Sequence, residues 1–329
     1  EAIKMAYRKN GKNINASITL QQGETHQFKP DPKMVKSTLA VYKNEVTDWS
    51  IEDGVLNVSC NGNLSKDLAE VAEWSKSLDT VKEIMESVHK KHPNVIFYGE
   101  GWTLPTAVEP GNHMATQPNA HMTPEFAYFS DTIRNLVAGE NGRTTGFASG
   151  LKGKEDPLFH CFTADVWWCP RPTQSVNYVS CHDNYSLMDK LAISRPDASR
   201  EDWVKMNKLA AAICLTAQGI PFMQAGEEML RSKPLPNGGF DHNSYKSPDS
   251  INSINWTRTI RYKPLVDYYK GLLRFRKAHP SLRLTSKKEV ERCVHPIRYP
   301  NPHVASFLVE EGPLELMVIF NADTRSVYV

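Results

Sequence analysis

Three short apolar runs in this 329-residue chain finish on groups able to exchange protons. Residues 176–179 lead through Ser180 and Cys181 to His182, Asp183 and Asn184; residues 94–98 lead to Gly99-Glu100-Gly101-Trp102; residues 219–224 lead to Ala225-Gly226-Glu227-Glu228. Runs this short, rich in β-branched and aromatic residues and bounded by Gly and polar residues, read as buried strands. In a barrel or doubly wound sheet the C-terminal ends of parallel strands share one face, so Glu100 and Asp183 are candidates to converge although distant in sequence. A convergent Glu/Asp pair suits hydrolysis of a glycosidic bond: one carboxylic acid protonates the leaving oxygen and anionic groups stabilise an oxocarbenium-like transition state. Trp102 offers a flat face for a sugar ring, and His182 can donate a hydrogen bond to a hydroxyl. The competing use of any single carboxylate is a helix cap or a rim ion pair.

The elements that must position these groups follow from periodicity and punctuation. Residues 1–78 alternate in patches such as 14–20 and 55–58, broken by Gly and Pro, which predicts two to four short strands, with a helix over 64–74. Thr80 and Glu83 form a capping-box pattern, and Val81, Ile84, Met85 and Val88 continue it at helical spacing until Pro93. Residues 95–98 then read as a buried parallel strand, 103–119 as a loop, 125–129 as a strand, 133–137 as a short helix and 139–154 as a loop. Trp167-Trp168 offers two readings, a sugar-stacking surface or an anchor for a surface loop. Ser199 and Asp202 cap a helix with Trp203, Met206, Leu209, Ile213 and Ala217 on one side, and Gly219 ends it. Residues 233–249 form another loop, and Pro264 opens a helix ending before Pro280. Beyond Leu284 the pattern changes to strand-like pieces at 304–309 and 314–320. Strand and helix alternate as in an α/β fold. Three regions are expected: 1–78, β-rich with a short helix; 79–284, part of a barrel; 285–329, the start of a small β-domain.

Composition excludes several classes. With 39 basic and 37 acidic residues the net charge is +2, too small a field to argue for nucleic acid or an anionic membrane. No apolar run approaches the roughly 20 residues of a membrane-spanning helix, and residues 1–12 lack the apolar centre of a signal peptide. The start at Glu1 points to a fragment or a processed chain. The six cysteines show neither Cys-x-x-Cys spacing nor His at zinc-ligand intervals, so buried free thiols are expected, with a reducing, cytoplasmic compartment favoured. No calcium-loop pattern occurs, and neither metal nor cofactor is expected.

The same blocks carry a family resemblance. Tyr98-Gly-Glu-Gly-Trp102, Tyr178-Val-Ser-Cys-His-Asp-Asn184 and Gly219-Ile-Pro-Phe-Met-Gln-Ala-Gly-Glu-Glu228 resemble blocks of type I pullulanases, the α-1,6-glucan debranching enzymes of the α-amylase superfamily. Ala127–Arg134, Thr145–Gly150 and Asn243–Asn252, followed by Ile254-Asn-Trp256, extend the resemblance from about Leu78 to the C-terminus. Several blocks in one order are far more specific than a lone motif. The resemblance implies a (β/α)8 barrel followed by a β-sandwich, a retaining mechanism and an α-glucan partner. By it, Glu100 resembles the general acid/base, Asp183 the carboxylate that stabilises the transition state, and His182 a residue binding sugar hydroxyls. Trp102 resembles an aromatic lining the leaving-group side, and Asn184, Asn243 and Tyr245 are candidates for lining the cleft. The strands before Glu100, at 125–129, before Asp183 and at 219–224 correspond to the fifth to eighth of the barrel.

The departures from the family are equally definite. Its fourth strand carries a Gly-Phe-Arg-Phe-Asp-Leu-Met type block whose Asp is the nucleophile, and the corresponding stretch here reads Glu73-Trp-Ser-Lys-Ser-Leu-Asp79. The third-strand block ending in Asn-His is also missing, and Asp79 reads as a cap of the helix that follows. A full barrel needs about 250 residues, more than 1–78 can supply beside strands five to eight. The expectation is a truncated or internally deleted pullulanase-like chain, with an open sheet edge, no identified nucleophile and negligible hydrolysis. The alternative is a non-catalytic α-glucan-binding or structural remnant.

Overall fold

The computed structural model describes the strands within residues 2–60 as backbone, and residues 78–103, 113–140, 142 and 144–327 with their side chains. It divides into two compact units, residues 1–97 with 101–123, and residues 98–100 with 124–329.

In the first unit β1 (Ala2–Lys9) pairs antiparallel with β2 (Lys12–Thr19). A second antiparallel sheet takes the order β3 (Thr25–Phe28), β5 (Val55–Cys60), β4 (Val46–Glu52). These five strands exceed the two to four expected; the helix expected over 64–74 lies outside the described residues. Helix α1 (Leu78–His89) buries Leu78, Thr80, Val81 and Met85. Thr80 therefore sits inside the first turn facing the core and is no cap, because the helix begins two residues earlier, where the Leu78 amide donates to the His113 carbonyl at 2.8 Å. Asp79 lies exposed in that first turn, where its charge complements the positive end of the helix.

The second unit is built on a sheet of order β6 (Phe97–Gly99), β7 (Phe126–Phe129), β8 (Ser175–Asn177), β9 (Ile220–Pro221). The pairs β7/β8 and β8/β9 are parallel, joining Tyr128 to Ser175 and Val176 to Ile220. Parallel neighbours need crossovers, and helices supply them: α2 (Asp131–Ala138) and α3 (Glu155–Phe162) before β8, then α4 (Leu187–Ser194) and α5 (Arg200–Thr216) before β9. Ile133 and Val137 of α2, Leu158 and Phe162 of α3, Leu191 of α4 and Ile213 of α5 form one core. The opposite side of α5, with Ala211 and Leu215, packs on Leu265 and Tyr269 of α6 (Lys263–Ala278). α5 begins as its residue types require: the Ser199 hydroxyl accepts from the Asp202 amide at 3.1 Å. It ends at Thr216 with Ala217 as its C-cap, three residues before the Gly219 expected to end it; Gly219 instead turns the chain into β9, where its φ of +105° and approach to the Ser175 carbonyl leave no room for a side chain.

The paired segments are shorter than the apolar runs that foreshadow them, since Tyr178 and Val179 stay buried beyond the last ladder residue of β8. The run at 95–98 corrects the expectation of a buried strand: Val95, Ile96 and Tyr98 are 42%, 60% and 51% exposed. β6 has a neighbour only on its β7 side within the described sheet, so a run apolar enough for a central strand lies at an edge. Across the sheet Tyr98, Phe129, Tyr178 and Phe222 stack edge to face, with Phe129 centred 5.7 Å from Tyr98 and 5.0 Å from both Tyr178 and Phe222. Only Tyr178 of this aromatic row is fully buried.

The C-terminal strands β10 (Val294–Ile297), β11 (Val304–Glu311) and β12 (Leu314–Asn321) form one antiparallel sheet, preceded by α7 (Lys287–Cys293), a helix the sequence reading does not contain. No second sheet faces it among the described residues; it packs on α3 instead, with the Phe307 ring 4.6 Å from Phe162. Of the tryptophan pair, Trp168 is buried with its ring edge-on to Tyr128, and Trp167 is 74% exposed, the arrangement of a loop anchor.

Candidate active site

Glu100 follows β6 directly, and the chain after β8 stays buried through Cys181 and surfaces at His182 and Asp183. One donor atom from each of Glu100, His182 and Asp183 lies within 4.8 Å of the other two, and all three side chains are exposed. His182 Nε2 stands 3.5 Å from Asp183 Oδ1. Asn184, with φ +62°, turns the backbone away through the left-handed region that Asn tolerates better than most residues. Behind the carboxylates Arg134, Cys181, Asp183, Asn184, Tyr185 and Lys190 line a cavity of about 20 Å³, space for about one water. Burial pushes the Cys181 thiol up, and the charges of Asp183 and Glu100 push it further. One imidazole and two carboxylates at this spacing are also a donor set that a divalent cation can use.

Beneath the exposed groups lies a buried polar layer. The Ser180 hydroxyl donates to Glu227 Oε1 at 2.6 Å, the Gln224 amide donates to the same oxygen at 3.0 Å, and Gln224 Nε2 donates to the Cys181 carbonyl. Asn207 of α5 reaches the Glu227 carbonyl at 3.3 Å and accepts from the Tyr269 hydroxyl at 2.9 Å. Glu227, the third carboxylate at a strand end, is therefore an internal brace: it is 5% exposed, and burial pushes it up to about 8 against its hydrogen bonds. Only two of the three strand-end carboxylates meet.

Three residues that the sequence reading did not single out hold the site from behind. Arg134 Nη1 donates to the Tyr178 hydroxyl at 2.7 Å. Lys190 donates to the carbonyls of Gly142 and Thr144, both at 2.8 Å. Asp189, wholly buried, accepts from Ser186 Oγ and the Lys233 amide, both at 2.8 Å, and from Ser232 Oγ at 2.5 Å. For Asp189 a signal was present, since Ser186-x-x-Asp189 is a capping pattern and Ser186 does cap α4. The lysine and the arginine carry no signal, because burial of a cation is decided by neighbours distant in sequence. Asn243 and Tyr245 stand on the turn at 243–247, and that turn connects to His182 through Lys233: Nζ donates to Ser244 Oγ at 2.7 Å and to the His182 carbonyl at 3.4 Å. Trp102 is half-buried and belongs to the first unit.

No protein-family model matches the chain. The pullulanase of Bacillus subtilis strain 168 is 36% identical over 262 residues, spanning 76% of this chain and 36% of that protein. The chloroplastic pullulanase 1 of Arabidopsis thaliana is 35% identical over 156 residues, 43% of this chain and 15% of its own length. Among solved structures, a pullulanase variant from Paenibacillus barengoltzii complexed with maltotetraose superposes with a TM-score of 0.70 at 35% identity, covering 75% of this chain and 39% of that one. The pullulanase from Anoxybacillus complexed with maltotetraose gives 0.70 at 28% identity, covering 80% and 42%. The chain thus spans well under half the length of these relatives. With β7, β8 and β9 parallel, with Glu100, His182 and Asp183 gathered in one place, and with sequence and backbone both matching, the chain belongs to the pullulanase family.

Proposed function

We propose that this chain is the C-terminal half of the catalytic barrel of a debranching-type glycoside hydrolase, directed at α-1,6 linkages of pullulan, starch or glycogen-type glucans. The approach of Glu100, His182 and Asp183 to within 4.8 Å carries this reading, because groups from separate strands gather where an acid and an anion are needed together. Glu100 acts as general acid/base towards the glycosidic oxygen, Asp183 stabilises positive charge on the sugar, and His182 binds its hydroxyls. A retaining course is carried over from the family the chain belongs to.

Retention also needs an attacking carboxylate, and these 329 residues contain no block like the one that supplies it in the family. The half-exposed aromatic row of Tyr98, Phe129 and Phe222 supports a barrel face without its opposing strands. On this reading the chain alone binds maltosaccharides and turns pullulan over negligibly. Reducing-sugar release from pullulan by the purified chain tests the inactivity: linear maltosaccharides produced by the native chain and lost in Glu100→Gln would overturn it. The wider reading is tested by titration calorimetry with maltotetraose, where absence of binding, or binding unaffected by His182→Ala, would remove the glucan assignment.

A further inference from the structure

We infer that Lys233 is a positioning residue that fixes the spacing between the loop bearing His182 and Asp183 and the turn bearing Asn243 and Tyr245, so that one α-glucan chain engages both. The inference rests on the glucan-binding reading above. Lys233 is 2% exposed, an unusual place for a lysine, and among the described residues no carboxylate lies within ion-pair distance of its ammonium. Its hydrogen-bond partners are neutral, Ser244 Oγ at 2.7 Å and the His182 carbonyl at 3.4 Å. Burial accordingly pushes its pKa down. Asp241 and Asp189 favour the charged ammonium from beyond ion-pair distance without offsetting its burial, and the two neutral oxygens that hold it return less than that desolvation costs. What it does provide is a link between two loops that share no backbone pairing.

Both ends of the link are rigid. The backbone of Lys233 is clamped to α4, its amide donating to Asp189 at 2.8 Å, and its carbonyl accepts from the Asp241 amide at 2.8 Å. On the far side Asn252 Nδ2 donates to the carbonyls of Ser244 at 2.6 Å and Ser247 at 2.9 Å, and Arg231 Nη2 donates to the Asn252 carbonyl at 2.7 Å. The rings of Tyr185 and His242, 5.6 Å apart, join the same two segments from outside. Tyr245 projects from this locked turn 71% exposed, with Lys246 Nζ 5.1 Å from the ring centroid over one face and the other face available to a sugar ring. The ammonium is the strut between a face that holds a glucan and the groups that act on it.

The test is calorimetric binding of maltose and maltotetraose to the native chain, Lys233→Met, Tyr245→Ala and the double variant. Maltose occupies one of the two places and maltotetraose can span both. Lys233→Met is expected to leave maltose affinity within about twofold and to weaken maltotetraose about tenfold. Tyr245→Ala is expected to weaken maltotetraose about tenfold in the native background and less than about twofold in Lys233→Met, because the strut that makes Tyr245 useful has gone. If Lys233→Met fails to fold, Ser244→Ala removes only the acceptor at the end of the strut and should show the same selective loss, with an unchanged circular dichroism spectrum. Equal losses for both sugars, or independent effects of Lys233 and Tyr245, overturn the positioning role and leave the glucan reading intact. A native chain that binds neither sugar overturns both.

Discussion

Replacing Glu227 by Gln should change how stability depends on pH while leaving the fold in place. In the folded chain burial raises this carboxyl from its ordinary 4.5 to about 8, whereas the unfolded chain exposes it to water. Between those values the folded state keeps a proton that the unfolded state has released. Stability from this group is therefore fully present below about pH 4.5 and is lost as pH rises towards 8. The slope is about 1.4 kcal/mol per pH unit, so from about pH 5.5 to about pH 7.5 the native chain should lose about 3 kcal/mol through Glu227 alone. Gln at this position keeps an oxygen to accept from Ser180 and the Gln224 amide, bonds of 2.6 and 3.0 Å in the native chain, and does not titrate. Urea unfolding of both proteins at the two pH values isolates the effect, since every other group is common to both. The difference in unfolding free energy between Glu227→Gln and the native chain should shift in favour of the variant by about 3 kcal/mol over that interval. Parallel pH profiles would refute the reasoning and show Glu227 ionised in place. A profile steepened in the opposite sense would mean that the hydrogen bonds outweigh burial.

Two further outcomes depend on groups remote from the candidate site. Arg276 donates from Nη1 to the Ala217 carbonyl at 2.7 Å and from Nη2 to the Gly219 carbonyl at 2.6 Å, capping the end of α5 where β9 begins. Arg276→Met leaves those buried acceptors without their donor and should cost about 3 kcal/mol or more in urea unfolding; a loss below about 1 kcal/mol would show that water replaces the guanidinium. Cys161, Cys169, Cys181, Cys214 and Cys293 are buried free thiols, and burial pushes Cys161 and Cys169 up to about 12. They should resist a thiol-specific reagent at pH 8 in the native chain and react at once in denaturant; rapid native labelling of any of the five, mapped by mass spectrometry, would contradict the packing.

Much of the larger unit was legible in the residues because the signals are local. Ser199-x-x-Asp202 caps α5 as read, Ser186-x-x-Asp189 carries the same pattern before α4 although that helix went unread, and Gly219 turns the chain where only a residue without Cβ fits. Glu100, His182 and Asp183 could be picked out as well, since each follows an apolar run whose direction in a parallel sheet is dictated by the helical crossovers between runs. Less legible were the lengths of the strands, because the ladder ends where the neighbouring strand ends and not where the apolar run does. An open sheet edge was expected of half a barrel, yet the run at 95–98 read as buried, because Val, Ile, Phe and Tyr in sequence are written for a neighbour on each side and only the arrangement in space tells how many there are. Helix α7 went unread because Lys287–Cys293 holds one heptad, too short for its period to stand out.

Residue types and order alone determine this chain's kinship, its α/β alternation, its buried thiols and the candidacy of Glu100 and Asp183 as a convergent pair. Tertiary structure decided which carboxylates meet. Glu227 has the same local signature as Glu100, a carboxylate at the end of an apolar run, yet Ser180 and Gln224 enclose it and burial raises its pKa, whereas Glu100 emerges beside His182 and Asp183. Tertiary structure likewise decided that Lys233 is an internal strut and not a solvated surface charge. Local sequence sets which groups are available and in which direction each strand delivers them; the dielectric around a group and its partners across space come from segments dozens of residues away, and those determine its charge and its task.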